Sequence, residues 1–313
     1  MVYGLLILMA IFPIAVIGFI VYIVDKEKES VKSLLIFYFL GLLAAFVSSI
    51  IETLFYLEET NLFYIFIDCF IFIALVEELA KFLCTKFGTM ITDSYNNFFD
   101  SIVFCTAVSL GFAGIENILY ILRSHSVSLE VGLSVGLLRA FLSVPGHAAF
   151  AIFMGYFLDK KNEYKLQGRV SVVFGILAVV VPVFLHGLYD FFCLSFTEIN
   201  SFVYFIIFCL FIVFLYVSSI ILIVKGAKKS HIRFDGANNT SYIFKCFNCG
   251  NVLKYTVCEK CGMNNTNYID AINRYAQLNG EYPNTGKEDF KICPKCGNFS
   301  GGYFCNKCGN VLR

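Results

Sequence analysis

Acidic and basic side chains stand together inside one strongly apolar segment of this sequence. Glu77, Glu78 and Lys81 have the spacing that lets one ammonium reach both carboxylates on a helix. Adjacent carboxylates disfavour each other's ionisation and a lysine favours it, which can tune a carboxylate to take a proton from water. Taken alone, the three residues fit a water-activating base and an ion pair between helices equally well.

Later apolar segments carry a second set of such side chains. An ionisable group at membrane depth costs roughly 2.5–3.5 kcal/mol on insertion scales, so these groups should be paired, hydrated or functional. His186 and Asp190 share one helix face, being four residues apart. Pro145 interrupts the backbone hydrogen bonds just before His147. The set consists of Glu116, Asn117, His147, His186 and Asp190.

Glutamates and histidines that converge in a bundle predict water activation. Either a Glu acts as general base, with His, Asn or Tyr donors at the oxyanion, or Glu and His bind a metal ion. Both chemistries hydrolyse amide bonds. The chain lacks the HExxH zinc motif and the Gly-x-Gly-Asp motif. Gly132-Leu-Ser134-Val-Gly136 leaves a Ser134–His186 pair as a rival, although helix packing also explains these glycines.

The composition predicts how these residues are held. The 313 residues are 58% hydrophobic and 15% charged, with a mean hydropathy of +0.74, which excludes soluble, disordered and secreted disulfide-rich classes. A bilayer core needs about 20 apolar residues per helix. The expected fold is therefore an all-α membrane protein, a bundle of about seven transmembrane helices plus small zinc-ribbon modules. The predicted spans are 3–24, 32–57, 62–84, 99–122, 130–158, 168–195 and 200–225.

The basic residues predict the orientation. They cluster after the first, third, fifth and seventh spans, while the alternate loops carry only Arg123, which places the N-terminus outside and the tail in the cytoplasm. Glu116 and His186 then lie about 15 Å further out than Glu77. Tilt or kinks must close this gap. Otherwise the site splits, leaving Glu77, Glu78 and His147 as its core.

Two further acids lie within predicted spans. Glu52 and Asp68 have no partner motif. The default expectation for both is a structural pairing with Arg139, or a position near water.

The last part of the chain contains an internal repeat of cysteine pairs. Each cysteine recurs 47 positions later, and a glycine follows the second cysteine of every pair. Four thiolates per set suit a tetrahedral, structural Zn²⁺ site, and cytosolic thiols stay reduced. The predicted ligands are Cys246, Cys249, Cys258 and Cys261 for the first site, and Cys293, Cys296, Cys305 and Cys308 for the second.

The predicted domains follow from this division. Residues 1–225 form the membrane domain, 226–244 a linker, 245–263 zinc ribbon 1, 264–291 a second linker and 292–313 zinc ribbon 2. With its thiolates and two Zn²⁺ counted, the tail has a net charge of about zero. We therefore expect a regulatory role or a cytosolic protein partner for the ribbons rather than nucleic acid.

Four motifs on successive spans resemble the PrsW family of intramembrane proteases, which is related to the type II CAAX prenyl endopeptidases. The resemblance covers roughly residues 1–225. The motifs are Glu77-Glu78-x-x-Lys81, Gly111-Phe112-x-x-x-Glu116-Asn117-x-x-Tyr120, Pro145-Gly146-His147 and His186-Gly187-x-Tyr189-Asp190.

The resemblance implies regulated intramembrane proteolysis of a membrane-anchored protein such as an anti-sigma factor. It implies that Glu77 or Glu78 activates water, and that Glu116, His147 and His186 complete the site as metal ligands or as acid and oxyanion groups. We expect Asp190 to orient His186. Whether the active site holds a metal stays open. The rivals are an ion-coupled transporter or channel that uses the buried charges, and a non-catalytic receptor whose ribbons recruit a partner.

Overall fold

A computed structural model describes most of the membrane domain and a few residues of the tail. The described residues are 2–55, 61–166, 169–199 and 202–230, and then 249, 260–262, 291–293 and 299–300. The chain divides into two compact units, Met1–Ser230 and His231–Arg313.

The described part of the first unit consists of helices joined by loops, as the sequence predicts. The helices are α1 (Val2–Val24), α2 (Val31–Leu54), α3 (Leu62–Ile67), α4 (Leu75–Ile91), α5 (Asp100–His125), α6 (Leu129–Leu138), α7 (Val144–Leu166), α8 (Val172–Ile199) and α9 (Phe202–Ala227). A π-helical turn, Asp68–Ala74, joins α3 to α4, and a second, Arg139–Ser143, joins α6 to α7.

Six helical segments in the described residues are long and apolar enough to cross a membrane, and the chain is an all-α membrane protein. They are Val2–Val24, Val31–Leu54, Asp100–His125, Leu129–Lys165, Val172–Ser195 and Phe202–Ala227. The remaining predicted span, the third (62–84), corresponds to the helical run Leu62–Ile91. It is less apolar than the other six because it carries Asp68, Glu77, Glu78, Lys81 and Lys86. Its helix ends seven residues later than predicted.

Helix α5 forms the centre of the bundle, with α1, α2, α6 and α7 packed around it. Glycines set the closest crossing. A Cβ on Gly41 would lie 1.9 Å from the Val108 carbonyl oxygen, and one on Gly111 would lie 2.0 Å from that of Tyr38. Only glycine fits such a backbone approach. The crossing of α2 and α5 therefore fixes the height of the α5 side chains, Glu116 among them.

The interruption of backbone hydrogen bonds predicted at Pro145 is observed as the π turn Arg139–Ser143, which ends two residues before the proline. Proline lacks an N–H and leaves the carbonyl four residues earlier without its helical donor. The Tyr216 hydroxyl of α9 donates to the carbonyls of Phe141 at 2.8 Å and Leu142 at 3.1 Å. This contact anchors the segment that precedes His147.

Within the tail, β1 (Lys291–Ile292) pairs antiparallel with β2 (Phe299–Ser300). Gly262, directly after Cys261, has φ +68°, in the left-handed region that glycine tolerates. Of the eight predicted zinc ligands, Cys249, Cys261 and Cys293 belong to the described residues. The other five ligands, and nearly all of the two predicted linkers beyond Ser230, lie outside them.

Candidate functional site

A cluster of charged side chains is buried where α4, α7 and α8 meet. Four of its members, Glu77, Glu78, His147 and His186, present ligand atoms that all lie within 4.8 Å of one another. Lys81 completes what we call the charged cluster. All five residues are at most 5% exposed. The sequence predicted each of them as a site residue.

The Lys81 ammonium lies inside this group. It donates to Glu77 Oε2 at 2.9 Å, to Glu78 Oε1 at 2.8 Å and to His147 Nδ1 at 3.1 Å. The ring of Phe112 lies beneath it, 3.9 Å away. Three hydrogen bonds use all donors of an ammonium, so Lys81 fixes both carboxylates and one imidazole.

These contacts also determine the tautomer of His147. Lysine can only donate, so Nδ1 accepts, and Nε2 donates to Glu116 Oε2 at 3.0 Å. The Ser109 hydroxyl donates to the His147 carbonyl at 2.8 Å. His147 is therefore held from both sides of its ring and from its backbone.

His186 lies between two carboxylates. Its Nδ1 is 3.0 Å from Glu78 Oε1, and its Nε2 is 3.3 Å from Asp190 Oδ2. Phe150 stacks on the imidazole with ring centroids 4.7 Å apart. The contact with Asp190 has the spacing that the sequence indicated.

Glu116 connects the cluster to Arg139 at the start of the second π turn. Arg139 donates through Nη2 to Glu116 Oε2 and through Nε to Asn117 Oδ1, both at 3.0 Å. Its guanidinium lies over the Tyr120 ring, 4.2 Å from the centroid. The expected pairing of Arg139 with Glu52 or Asp68 is therefore wrong, because among the described residues its ion-pair partner is Glu116. The alternative expectation, a position of these acids near water, stays a prediction.

Asn117 occupies a position behind the site. It is fully buried, and its Nδ2 donates to the Ala10 carbonyl of α1 at 2.9 Å.

The predicted 15 Å separation between Glu77 and the outer residues is not observed. The cluster is continuous from Glu77 to Glu116 through Lys81 and His147.

A cavity of about 290 Å³ adjoins the charged cluster, and we call it the catalytic cavity. Leu142 and Ser143 of the second π turn line one side, and Cys193 and Leu194 of α8 line another. Of the predicted site residues, Glu77, Glu116, His147, His186 and Asp190 line it. Arg139, Tyr120 and Tyr189 also line it. Tyr120 lies four residues after Glu116 and Tyr189 three residues after His186, so helical spacing could have indicated these two, whereas nothing in the sequence indicated Arg139.

The described contacts separate the cavity-lining carboxylate from the covered one. Glu77 lines the catalytic cavity, whereas Glu78 is fully buried behind it. Glu78 Oε2 has no hydrogen-bond partner among the described residues.

Ser134 is exposed, and both ring nitrogens of His186 face carboxylates. The Ser134–His186 rival therefore has no support.

The donor set fits a metal ion by type and spacing. Carboxylate oxygens and imidazole nitrogens are the donors of catalytic zinc sites. A metal ion among Glu77, Glu78, His147 and His186 would take the space of the Lys81 ammonium, which now binds three of them. Lys81 must withdraw before a metal ion can bind there.

Comparison with known proteins gives consistent matches. Residues 29–217 match the PrsW family intramembrane metalloprotease profile. The relative named Protease PrsW from Oceanobacillus iheyensis is 33% identical over 178 residues, which are 57% of this chain and 78% of the relative. Those from Clostridioides difficile (33% identical, 59% and 78% covered) and Bacillus subtilis (30% identical, 59% and 80% covered) are similar. No solved structure matches the chain.

Proposed function

Because the chain belongs to the PrsW family of intramembrane proteases, we propose that the charged cluster cleaves a peptide bond of a membrane-anchored protein in the catalytic cavity. The observation that carries the proposal is the placement of Glu77, His147 and His186 on one cavity wall. A channel or a non-catalytic receptor does not require this convergence of acids and imidazoles.

Glu77 is the proposed general base. It lines the cavity, so a water molecule there could reach its carboxylate, and Lys81 holds one oxygen while the other stays available. In the proposed step Glu77 takes a proton from water while the water oxygen bonds to the carbonyl carbon. Glu78 is covered and acts as a positioning residue for Lys81 and His186.

His186 is the proposed donor to the oxyanion and then to the leaving amine. An imidazole with a carboxylate on each nitrogen can donate from both only as imidazolium. The Nε2 side faces Asp190, which lines the cavity at the longer distance of 3.3 Å. A donor in a water-poor cavity strongly stabilises developing charge. Asp190 orients this ring, and Asn117 positions Arg139.

A metal ion is the second chemistry that the same residues could support. Glu77, Glu78, His147 and His186 would hold it, and zinc supplies Lewis acidity toward water and carbonyl oxygen. Without that ion, the protein groups named above perform proton transfer and orientation.

Elemental analysis of a chain with all eight tail cysteines changed to serine measures zinc bound in the membrane domain alone. Zinc that His147→Ala removes belongs to this site.

We propose a membrane-anchored substrate, of which an anti-sigma factor is an example, and an N-terminus outside with the tail in the cytoplasm. Support comes from the family and from the distribution of basic residues along the loops. A reporter fused after residue 313 checks the orientation, and activity of a periplasm-only or extracellular reporter there would contradict it.

We also propose that the tail holds two structural zinc ions. Support comes from the repeated cysteine spacing, from the strand pair whose first strand directly precedes Cys293, and from the left-handed Gly262 after Cys261. The wild-type chain should contain about two more zinc ions than the chain with eight Cys→Ser changes. Equal zinc contents would contradict the tail sites.

Mass spectrometry of new protein N-termini tests the proteolytic function. Membranes from cells that express the wild type should contain a new N-terminus inside an apolar span of another protein. We expect Glu77→Gln to lower its yield about 10³-fold, the size of a general-base contribution. The matched control Glu130→Gln changes an exposed acid at the start of α6 and should leave the yield unchanged. A new terminus that persists in Glu77→Gln would contradict the assigned base.

A further inference from the structure

A second cavity adjoins the catalytic cavity. It measures about 260 Å³ and lies between α2 and α5. Glu116 and Tyr120 line both cavities, so they form a common wall. A peptide chain that occupies the catalytic cavity could therefore place a neighbouring side chain in the second cavity, which we call the Glu52 cavity.

Glu52 carries an unused acceptor in this cavity. Its Oε1 atom is buried and has no hydrogen-bond partner in the part of the chain that the structure describes. Arg139 donates instead to Glu116 and Asn117. Arg123 lines the same cavity but is exposed, and no ion pair joins it to Glu52 among the described residues. A buried carboxylate without a partner is costly, so a donor from outside the chain would stabilise it.

The remaining walls suit an aliphatic stem. Ala45, Phe46, Phe112, Ile115 and Leu119 provide an apolar lining, and Ser49 is the additional polar residue on α2. The volume of about 260 Å³ is well above the roughly 10–15 Å³ that one water molecule requires, so a long side chain can enter. Lysine and arginine side chains have five and seven non-hydrogen atoms beyond Cα, with apolar stems and a cationic end.

We propose that the Glu52 cavity is a substrate subsite that binds a basic side chain, with the Glu52 carboxylate as its ion-pair partner. The proposal rests on the proposed function, because the side chain belongs to the peptide being cleaved. It assigns Glu52 a role in specificity. The sequence had indicated only a structural pairing or a position near water for this residue.

Photo-cross-linking tests the subsite without requiring cleavage. The full chain carrying Glu77→Gln is placed in phosphatidylcholine nanodiscs, which contain no primary-amine lipid. The probes are synthetic single-span Leu/Ala peptides with one diazirine-bearing lysine analogue that keeps its amine, moved along the peptide. Matched peptides carry the neutral photo-methionine. Mass spectrometry locates the cross-links.

The lysine analogue should label residues 45–52 and 112–123 about 10-fold more than photo-methionine from one or two peptide positions, as expected for a hydrogen bond to a charged group. Adding Glu52→Gln should abolish this preference, Glu52→Asp should retain part of it, and Glu130→Gln should leave it intact. Equal labelling by the two probes, or a lysine preference that survives Glu52→Gln, would overturn the subsite.

A cleavage assay separates this proposal from the proposed function. The otherwise wild-type chain should cut peptides with Lys at the labelled position about 10-fold faster than peptides with Met there, and Glu52→Gln should remove the difference. Cleavage without any Lys preference contradicts the subsite alone. Cleavage that is unaffected by Glu77→Gln contradicts the proposed catalytic base, and the cross-linking result still decides the subsite.

Discussion

Buried acids occur in two regions of the bundle and bond to different kinds of donor. In the charged cluster, Glu77 and Glu78 bond to side chains of Lys81 and His186. Backbone N–H groups of loops donate instead to three other acids, which are Asp25 directly after α1, Asp100 at the start of α5 and Asp159 in α7. We call these three the loop carboxylates.

The kind of donor separates the loop carboxylates, which fix a backbone conformation, from the acids of the charged cluster beside the catalytic cavity. Asp100 accepts from the amides of Asn96 and Asn97, and Asp159 accepts from the amide of Phe99, whose φ is +98°. These bonds define a loop conformation. The bonds of the charged cluster instead fix side chains around a space for another molecule. Burial alone does not indicate catalysis, but the identity of the donor distinguishes the two regions.

The largest predicted effect follows from removing the central cation. Lys81→Met leaves Glu77 and Glu78 buried without their shared partner, and breaking such a pair costs about 3–5 kcal/mol. We expect a loss of this size in the free energy of unfolding, together with loss of cleavage. Denaturation in detergent and the N-terminus assay measure the two quantities.

A double variant sharpens this prediction. Lys81→Met with Glu78→Gln removes one of the uncompensated charges, so part of the lost stability should return while cleavage stays absent. Recovery of cleavage in the double variant would show that neither Lys81 nor Glu78 positions the site.

Removal of a loop carboxylate should lower stability without lowering cleavage. Asp159→Ala leaves the buried Phe99 amide without its acceptor, which costs about 1–3 kcal/mol of unfolding free energy. Cleavage by the protein that remains folded should equal that of the wild type, because Asp159 does not line the catalytic cavity. Asp93→Ala, an exposed acid of the same loop, is the control. A lower specific activity of Asp159→Ala would contradict the claim that the loop carboxylates have no part in cleavage.

Sequence reasoning predicted the helical bundle because each span is a long apolar run, and it predicted the members of the charged cluster because ionisable residues are rare in such runs. It placed Glu116 and His186 too far from Glu77. Heights estimated from residue counts ignore the π turns and the glycine crossing of α2 and α5. The predicted ion-pair partner of Arg139 was also wrong. Several acids were available in the sequence, and only the relative rotation of the helices selects Glu116.

The Glu52 cavity shows a second limit of sequence reasoning. An unpaired acid in a span can be recognised from the sequence. The space beside it cannot, because it depends on how α2 and α5 separate above their glycine crossing. Asp159 likewise resembles a solvated helix-end charge in the sequence, yet it binds a loop that lies sixty residues earlier.

A smaller effect than that of Asp159→Ala is expected in the backbone segment that precedes His147. Tyr216→Phe removes the hydroxyl that bonds the Phe141 and Leu142 carbonyls before Pro145. We expect a loss of about 1 kcal/mol in unfolding free energy and a cleavage rate a few-fold lower, because the turn that carries Arg139 loses an anchor. Tyr204→Phe on the same helix is the control, since its hydroxyl has no hydrogen bond among the described residues. Equal rates for the two variants would contradict an effect on the site.

The last effect is a pH dependence and concerns a loop carboxylate. Burial raises the pKa of Asp25 to about 6, partly opposed by the Glu27 amide and Lys28. The folded protein therefore keeps this proton to a higher pH than the unfolded chain does, so stability falls as pH rises from about 4 to about 6. Asp25→Asn cannot ionise and should lose about 1–2 kcal/mol less over this range. Unfolding curves at both pH values measure the difference, with Asp93→Asn as the exposed control. Identical pH profiles for wild type and Asp25→Asn would show that Asp25 titrates alike in the folded and unfolded chains.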